Sequence, residues 1–215
     1  MFVGHYSAAF LAKRVAPEIP LPVYFIACQT IDLFWATFVL LGIEKVRYVA
    51  HITASNSMDL YFMPFSHSLP AALAWSAGIA GLYWLLAKSN PQRVRNTILF
   101  GVVVLSHWML DFFAHRPDLP LWYDSFKVGL GLWNFRIFEY MLELVLLWTS
   151  LFFALKVAGQ NRQRFISLGI VMTAFQTLSV LVPTPELDYK IALQLLVSYS
   201  LLTVFSYWAS RKPAQ

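Results

Sequence analysis

Two imidazoles and a carboxylate recur at four-residue spacing in the stretch Ser106 to Pro120: His107, Asp111 and His115. On an α-helix, residues four apart stand about 5–6 Å from one another on one face, so His107 and Asp111 aim two donor atoms the same way. Histidine with carboxylate is the ligand set of zinc and related divalent ions. The same residue types recur at His5, Asp32 and His67, and Glu139 and Glu143 form a second pair at four-residue spacing. Most of these residues lie in or at the edge of strongly apolar runs. An ionisable group at the centre of a bilayer costs at least about 2.5–3.5 kcal/mol. A divalent ion would neutralise carboxylates that hydrocarbon would otherwise drive to protonate.

The elements that must position these residues follow from composition. The chain has 215 residues, 59% hydrophobic and only 13% charged, where a soluble domain carries about 25% charged residues. Its mean hydropathy is +0.59. The expected class is all-α, a polytopic membrane helical bundle forming one domain over residues 1–215. A spanning helix needs about 20 apolar residues. Segments 22–42, 69–87, 97–114, 137–157, 165–183 and 191–209 meet this, giving about six transmembrane helices, the last two a C-terminal pair. Ser89-Asn90-Pro91, Gly159-Gln160-Asn161 and Pro183-Thr184-Pro185 separate neighbours. A polar stretch from Glu44 to Asp59 follows the first span. A longer connection, Arg116 to Arg136, carries aromatics and glycines that suit a lid at the membrane interface.

Residues 5–16 are apolar but too short to span, and Pro17 and Pro20 break the chain after them. The expectation is a half-length N-terminal helix returning as the first full span. Each arm of such a hairpin is roughly 16–18 Å long, about half the hydrocarbon core, which puts His5 and Asp32 at one depth. The short run ends at Lys13-Arg14 without a small-residue cleavage pattern, so it does not read as a signal peptide. The only cysteine, Cys28, excludes a disulfide framework and a thiolate cluster. The net charge of +5 is spread singly or in pairs near span ends. It therefore fits lipid headgroups and topology better than nucleic acid, and no nucleic-acid partner is expected.

Lysine and arginine divide unequally between the two ends of such a bundle. Lys13, Arg14, Lys88, Arg93, Arg95, Lys156, Arg162, Arg164, Arg211 and Lys212 fall on one side; Lys45, Arg47, Arg116, Lys127, Arg136 and Lys190 fall on the other. The bias makes the first side cytoplasmic, with both termini there and the polar residues in the outer half. Each candidate also has a plainer reading. His107 and Asp111 suit a hydrogen-bonded pair between helices, His67 an interfacial helix start, Asp32 a protonated acid, and His5 an interfacial tail. Glu139 and Glu143 suit a solvated first turn, where acids favour the helix dipole. His115 suits a loop, and His51 a solvated one.

Gly4-His5, Asp32, Ser66-His67-Ser68 and Ser106-His107-Trp108-Met109-Leu110-Asp111 occur in that order. This set resembles the bacterial inner-membrane metal-dependent hydrolases of the type linked to LexA regulation, over about residues 4–145. That family is similar in turn to the zinc-dependent phospholipase C and single-strand nuclease superfamily of helical phosphodiesterases. The resemblance implies a bacterial inner-membrane location and zinc as the divalent metal. It also implies metal-activated hydrolysis of a phosphoester or phospholipid. His5, Asp32, His67, His107, Asp111 and His115 would be metal ligands. Glu139 and Glu143 would take the place of the last motif pair, as base or second-metal ligands, and Arg116 would offset phosphate charge. Glu139 stands where that pattern has histidine, and Asp32 is a single acid, so one or two ions are expected. Two alternatives come from other classes: a proton- or ion-coupled transporter with a His/carboxylate relay, and a non-catalytic bundle stapled by a metal or polar cluster.

Overall fold

The computed structural model describes residues 1–211; Lys212, one of the charges counted above, lies outside the described residues. A 3-10 turn, Val3–His5, leads into α1 (Tyr6–Val15). Ten residues make a helix of about 15 Å, the half-length element expected. After the Pro17–Pro20 turn the chain returns as α2 (Leu21–Cys28) and α3 (Thr30–Leu40). Within the segment expected as the first span, 22–42, the helix is broken: α2 and α3 are bent by 56° at Gln29. The Gln29 amide tightens onto the Ile26 carbonyl at 3.2 Å, and the Thr30 hydroxyl donates to the same carbonyl at 3.1 Å. Such back-bonding hydroxyls compete with the helical ladder and bend it.

The remaining long helices are α4 (Leu69–Leu86), α5 (Arg93–Ala114), α6 (Arg136–Ala154), α7 (Arg162–Leu181) and α8 (Asp188–Ser210). Five helices among the described residues are long and apolar enough to cross a membrane, or six if the bent pair counts as one. Helices α5, α7 and α8 begin three or four residues before the apolar windows, because a polar first turn such as Arg93–Asn96 is still helical. The Ser68 side chain caps α4 by accepting from the Ala71 amide, with Pro70 inside the first turn.

Two antiparallel hairpins were not foreseen. One joins β1 (Lys45–Tyr48) to β2 (Met58–Phe62), and the other joins β3 (Leu119–Trp122) to β4 (Ser125–Val128). Both lie at the same end of the bundle. The Ser57 amide reaches Thr184, the Ser55 amide reaches the Trp133 carbonyl, and Lys127 reaches the Tyr61 carbonyl. At the opposite end Arg95 and Asn96 bind Glu18, and Asn161 reaches the Ser210 carbonyl. The two groups of basic residues thus sit at opposite ends among the described residues, but Met1, expected on the same side as the C-terminus, lies at the buried polar cluster against Asp111.

The packing is inverted relative to a water-soluble bundle. Leu85, Leu86, Ile98, Val102, Phe152, Ile170, Val197 and Val204 are exposed, while His5, Asp32, His107, Asp111, Glu139 and Glu143 are buried. Below these polar residues Phe10, Tyr24, Phe25, Phe100 and Phe165 fill the interior, with Phe10 edge-on to Phe25 and Tyr24 stacked on Phe100.

The 121–135 segment, expected as a mobile lid, is tied to the end of α5. The Leu130 amide donates to the Phe112 carbonyl at 2.8 Å and the Gly131 amide to the His115 carbonyl at 2.6 Å. Gly129 has φ +152°, and a Cβ there would lie 2.3 Å from the Arg116 carbonyl oxygen and 2.4 Å from that of His115. The glycine serves close approach rather than hinge motion. Gly129→Ala should therefore destabilise the protein by roughly 1–3 kcal/mol, read as a lower unfolding temperature in detergent. Gly78→Ala, a helical position with open space around it, should leave that temperature unchanged or raise it slightly. Equal behaviour of the two variants would contradict the close-approach account.

Candidate metal centre

The histidines are aimed by partners on their far sides. The break at Gln29 takes the Cys28 carbonyl out of the helical ladder, and His107 Nδ1 lies 2.8 Å from it. A carbonyl only accepts, so Nδ1 carries the hydrogen and donates. His115 Nδ1 lies 2.8 Å from Asp118 Oδ1. His67 Nδ1 lies 2.8 Å from Ser66 Oγ, whose own hydrogen goes to Glu44 Oε2 at 2.6 Å, so this Nδ1 also donates. Assigned from these partners, the neutral tautomer of all three rings leaves Nε2 with a bare lone pair.

Those Nε2 atoms converge on two carboxylates. His107 Nε2 is 3.3 Å from Asp32 Oδ1 and 3.2 Å from Asp111 Oδ2. His67 Nε2 is 3.3 Å and 3.6 Å from the same two oxygens. His115 Nε2 is 3.6 Å from Asp111 Oδ1. His5, from the 3-10 turn, places Nε2 3.1 Å from Asp111 Oδ1 at an angle that makes no hydrogen bond, and its Nδ1 is also unpartnered. His107 Nε2 likewise makes no hydrogen bond. The Met1 ammonium donates to Asp111 Oδ1 at 2.7 Å, and Tyr199 donates to Asp32 Oδ2.

Lone pairs facing anionic oxygens repel unless a cation lies among them. Imidazolium rings alone do not resolve this, because the His5 and His107 rings stack with centroids 3.7 Å apart, where two positive charges would repel. A divalent ion would give the unpartnered nitrogens a partner, beside the Met1 ammonium that Asp111 Oδ1 already accepts. Two sets have donor atoms all within 4.8 Å of one another: His5, His107 and Asp111, and Asp32, His67 and His107. His107 has one free ring nitrogen and can ligate only one ion, so the two sets are alternatives around it, and His115 belongs to neither. The buried, unpartnered nitrogens, the mixed N/O donor set and the far-side hydrogen bonds all fit a bound metal.

The remaining candidates sit around this cluster. Both oxygens of Glu143 are taken by backbone amides: the Phe2 amide at 2.8 and 3.1 Å and the Gly4 amide at 2.7 Å. Glu143 thereby holds the N-terminal turn that presents His5. Glu139 is buried, lines a cavity beside the cluster and has one oxygen, Oε2, without a partner. Arg116 does not line that cavity. Its guanidinium is tied to Asp118 at 3.1 Å and to Asp59, which also receives Arg47 at 2.7 Å. It braces the Asp118 carboxylate that orients His115. The exposed His51 lies away from the cluster, in the turn joining β1 and β2.

Sequence reading missed three contributors. Glu44 fell in the polar stretch after the first long helix, and only the fold sets it under Ser66. It accepts from the Phe65 and Ser66 amides as well as from the Ser66 hydroxyl. Burial pushes its carboxyl up from the ordinary value, against the lowering pull of those donors. Tyr199, on α8, extends the site beyond the expected region of residues 4–145, and nothing marked it among ten tyrosines. The Cys28 carbonyl is a backbone atom with no signature in sequence.

A scan against protein-family models finds no match, and searches of curated proteins and of solved structures return no significant one. The chemistry of the centre therefore rests on its own donors.

Far-side partners usually tune metal affinity strongly. Asp118→Asn and Glu44→Gln should each weaken binding of a divalent ion roughly 10–100-fold, measured by competition with a chromogenic chelator. Unchanged affinity in both variants would refute the orienting role assigned to these carboxylates.

Proposed function

We propose that this protein is a membrane-embedded, metal-dependent hydrolase acting on a phosphoester near the lipid headgroup layer. The observation that carries the reading is the convergence of bare imidazole Nε2 atoms on Asp32 and Asp111 beside a cavity of about 300 Å³. The apolar outer surface and the long apolar helices support insertion in a bilayer. The charge division supports a bundle with its centre in the non-cytoplasmic half. The ordered His, Asp, His and HxxxD set supports kinship with the inner-membrane hydrolases it resembles, and zinc as the ion.

His5, Asp32, His67, His107, Asp111 and His115 would hold the metal. A bound divalent ion would supply an acidified water and an electrophile for the phosphoryl oxygen. Asp32, His67, Asp111 and His115 face the cavity, so the substrate meets the centre from that side. Glu139, which lines the cavity, suits a base that takes and returns a proton at its wall. Glu143, with both oxygens engaged, keeps His5 and Phe2 in place. Arg116 acts through Asp118 on His115 instead of meeting the phosphate itself.

The transporter alternative calls for a polar route through the bundle. The packed rings of Phe10, Phe25 and Phe165 beneath the cluster favour a site entered from one end. A purely structural staple does not account for the cavity that Asp32, His67, Asp111 and Glu139 line.

Elemental mass spectrometry on detergent-purified protein should find near-stoichiometric zinc or another divalent ion, lost in a folded His107→Ala/Asp111→Ala variant. Hydrolysis of bis-p-nitrophenyl phosphate and of a fluorogenic phospholipid should vanish on chelation and return with zinc. Glu139→Gln should retain the metal and lose about 10²–10⁴-fold in kcat. Metal-replete protein that carries no ion would sink the centre. Metal without turnover on either substrate would leave only the staple.

A further inference from the structure

The cavity beside the metal centre has two ends of different chemistry. Its inner end is formed by Asp111, His115 and Glu139. The Gln176 side chain is only 1% exposed and lines the same space with its Oε1 unpartnered. A buried acceptor without a donor is costly. Phe175 and Leu178 from α7, Val182 just beyond it, and Leu195 from α8 give the cavity an apolar wall, with Ser179, Gln194 and Ser198 of the same two helices beside them. Leu178 and Val182 are about half exposed, so this outer end opens towards the apolar outer surface between two helices long enough to cross a membrane.

We propose that this cavity is a lipid slot. A membrane lipid places its headgroup ester at Asp111, His115 and Glu139 and runs an acyl chain outward between α7 and α8. The inference rests on the hydrolytic reading of the centre and names its substrate class as a lipid amphiphile. Two observations select that occupant over a soluble phosphoester. First, no lysine or arginine is among the residues lining the cavity, and Arg116 is committed to Asp59 and Asp118. A highly charged soluble anion would have only the metal and the Met1 ammonium, itself paired with Asp111, to balance it. Second, the Phe175, Leu178, Val182 and Leu195 walls would gain nothing from a small polar molecule, whereas a chain buries apolar surface against them. The polar-to-apolar gradient runs from the centre to the mouth, the order in which a lipid carries its headgroup and its tail.

The test uses the full chain in nanodiscs of phosphatidylethanolamine and phosphatidylglycerol. These are doped with a phosphatidylethanolamine that carries a diazirine within one acyl chain. After irradiation, cross-linked peptides are mapped by mass spectrometry. Cross-links should concentrate on residues 175–182 and 191–198 and be competed by unlabelled lipid. Leu195→Trp, which fills the slot, should cut them about ten-fold, with metal content and labelling of exposed Leu85 and Leu86 unchanged. Ser198→Phe is the second blocking variant should Leu195→Trp fail to fold. Labelling spread over the outer surface in proportion to exposure, or indifferent to both variants, overturns the slot. Because cross-linking needs no turnover, enrichment without hydrolysis upholds the slot and strikes the hydrolytic reading alone.

Discussion

The structure turns on one buried carboxylate. Asp111 stands inside a bundle whose outer surface is hydrocarbon, and its two oxygens collect partners from distant parts of the chain. Oδ1 receives the Met1 ammonium and faces His5 and His115; Oδ2 faces His67 and His107. A carboxylate removed from water is expensive unless it is paired and hydrogen-bonded on every side. The rest of the fold can be read as the means of bringing those partners in. The half-length α1 ends its reach at His5, and α4 starts just after His67. The bend at Gln29 both positions Asp32 and frees a carbonyl for His107.

Around this centre lies a ring of groups that touch no ion themselves. Glu44 acts on His67 through Ser66, Asp118 acts directly on His115, and the Cys28 carbonyl acts on His107. From Asp118 the chain of charges runs outward through Arg116 to Asp59 and Arg47, on the first hairpin. Its outermost member, Arg47, is well exposed, and a pair of that kind adds little stability. Of its inner members, Asp59 and Asp118 are buried, and Asp118 fixes the orientation of the His115 ring. The first hairpin thus connects to the centre through side chains, the second is tied to the first by Lys127, and both satisfy their own backbone groups in a part of the molecule where helix has ended.

The asymmetry between the two ends of the bundle carries the functional reading. Aromatic side chains close one end, while the other opens into a cavity with carboxylate and imidazole at its base and apolar walls at its mouth. That gradient links the centre to the outer surface. It gives α7 and α8 a role beyond packing, since Gln176, Leu195 and Tyr199 all reach the same space.

Sequence by itself determined the helical class, the half-length first helix, the segment breaks and the residues worth watching, because each is a local property. Apolar run length, proline and glycine breaks and four-residue spacing act within one segment. His107 with Asp111 was legible for that reason, and so was the division of basic residues between the two ends. The tertiary structure decided what depends on distant parts of the chain meeting. It set Glu143 against the Phe2 and Gly4 amides, left Glu139 facing the cavity, and drew Arg116 into ion pairs with Asp59 and Asp118. It also brought Tyr199 to Asp32 across 167 positions of sequence. The hairpins were hidden because strands of four or five residues are too short to carry a strong alternation. The bend at Gln29 was hidden because a hydroxyl bonding back to a carbonyl leaves the hydropathy of the run unchanged.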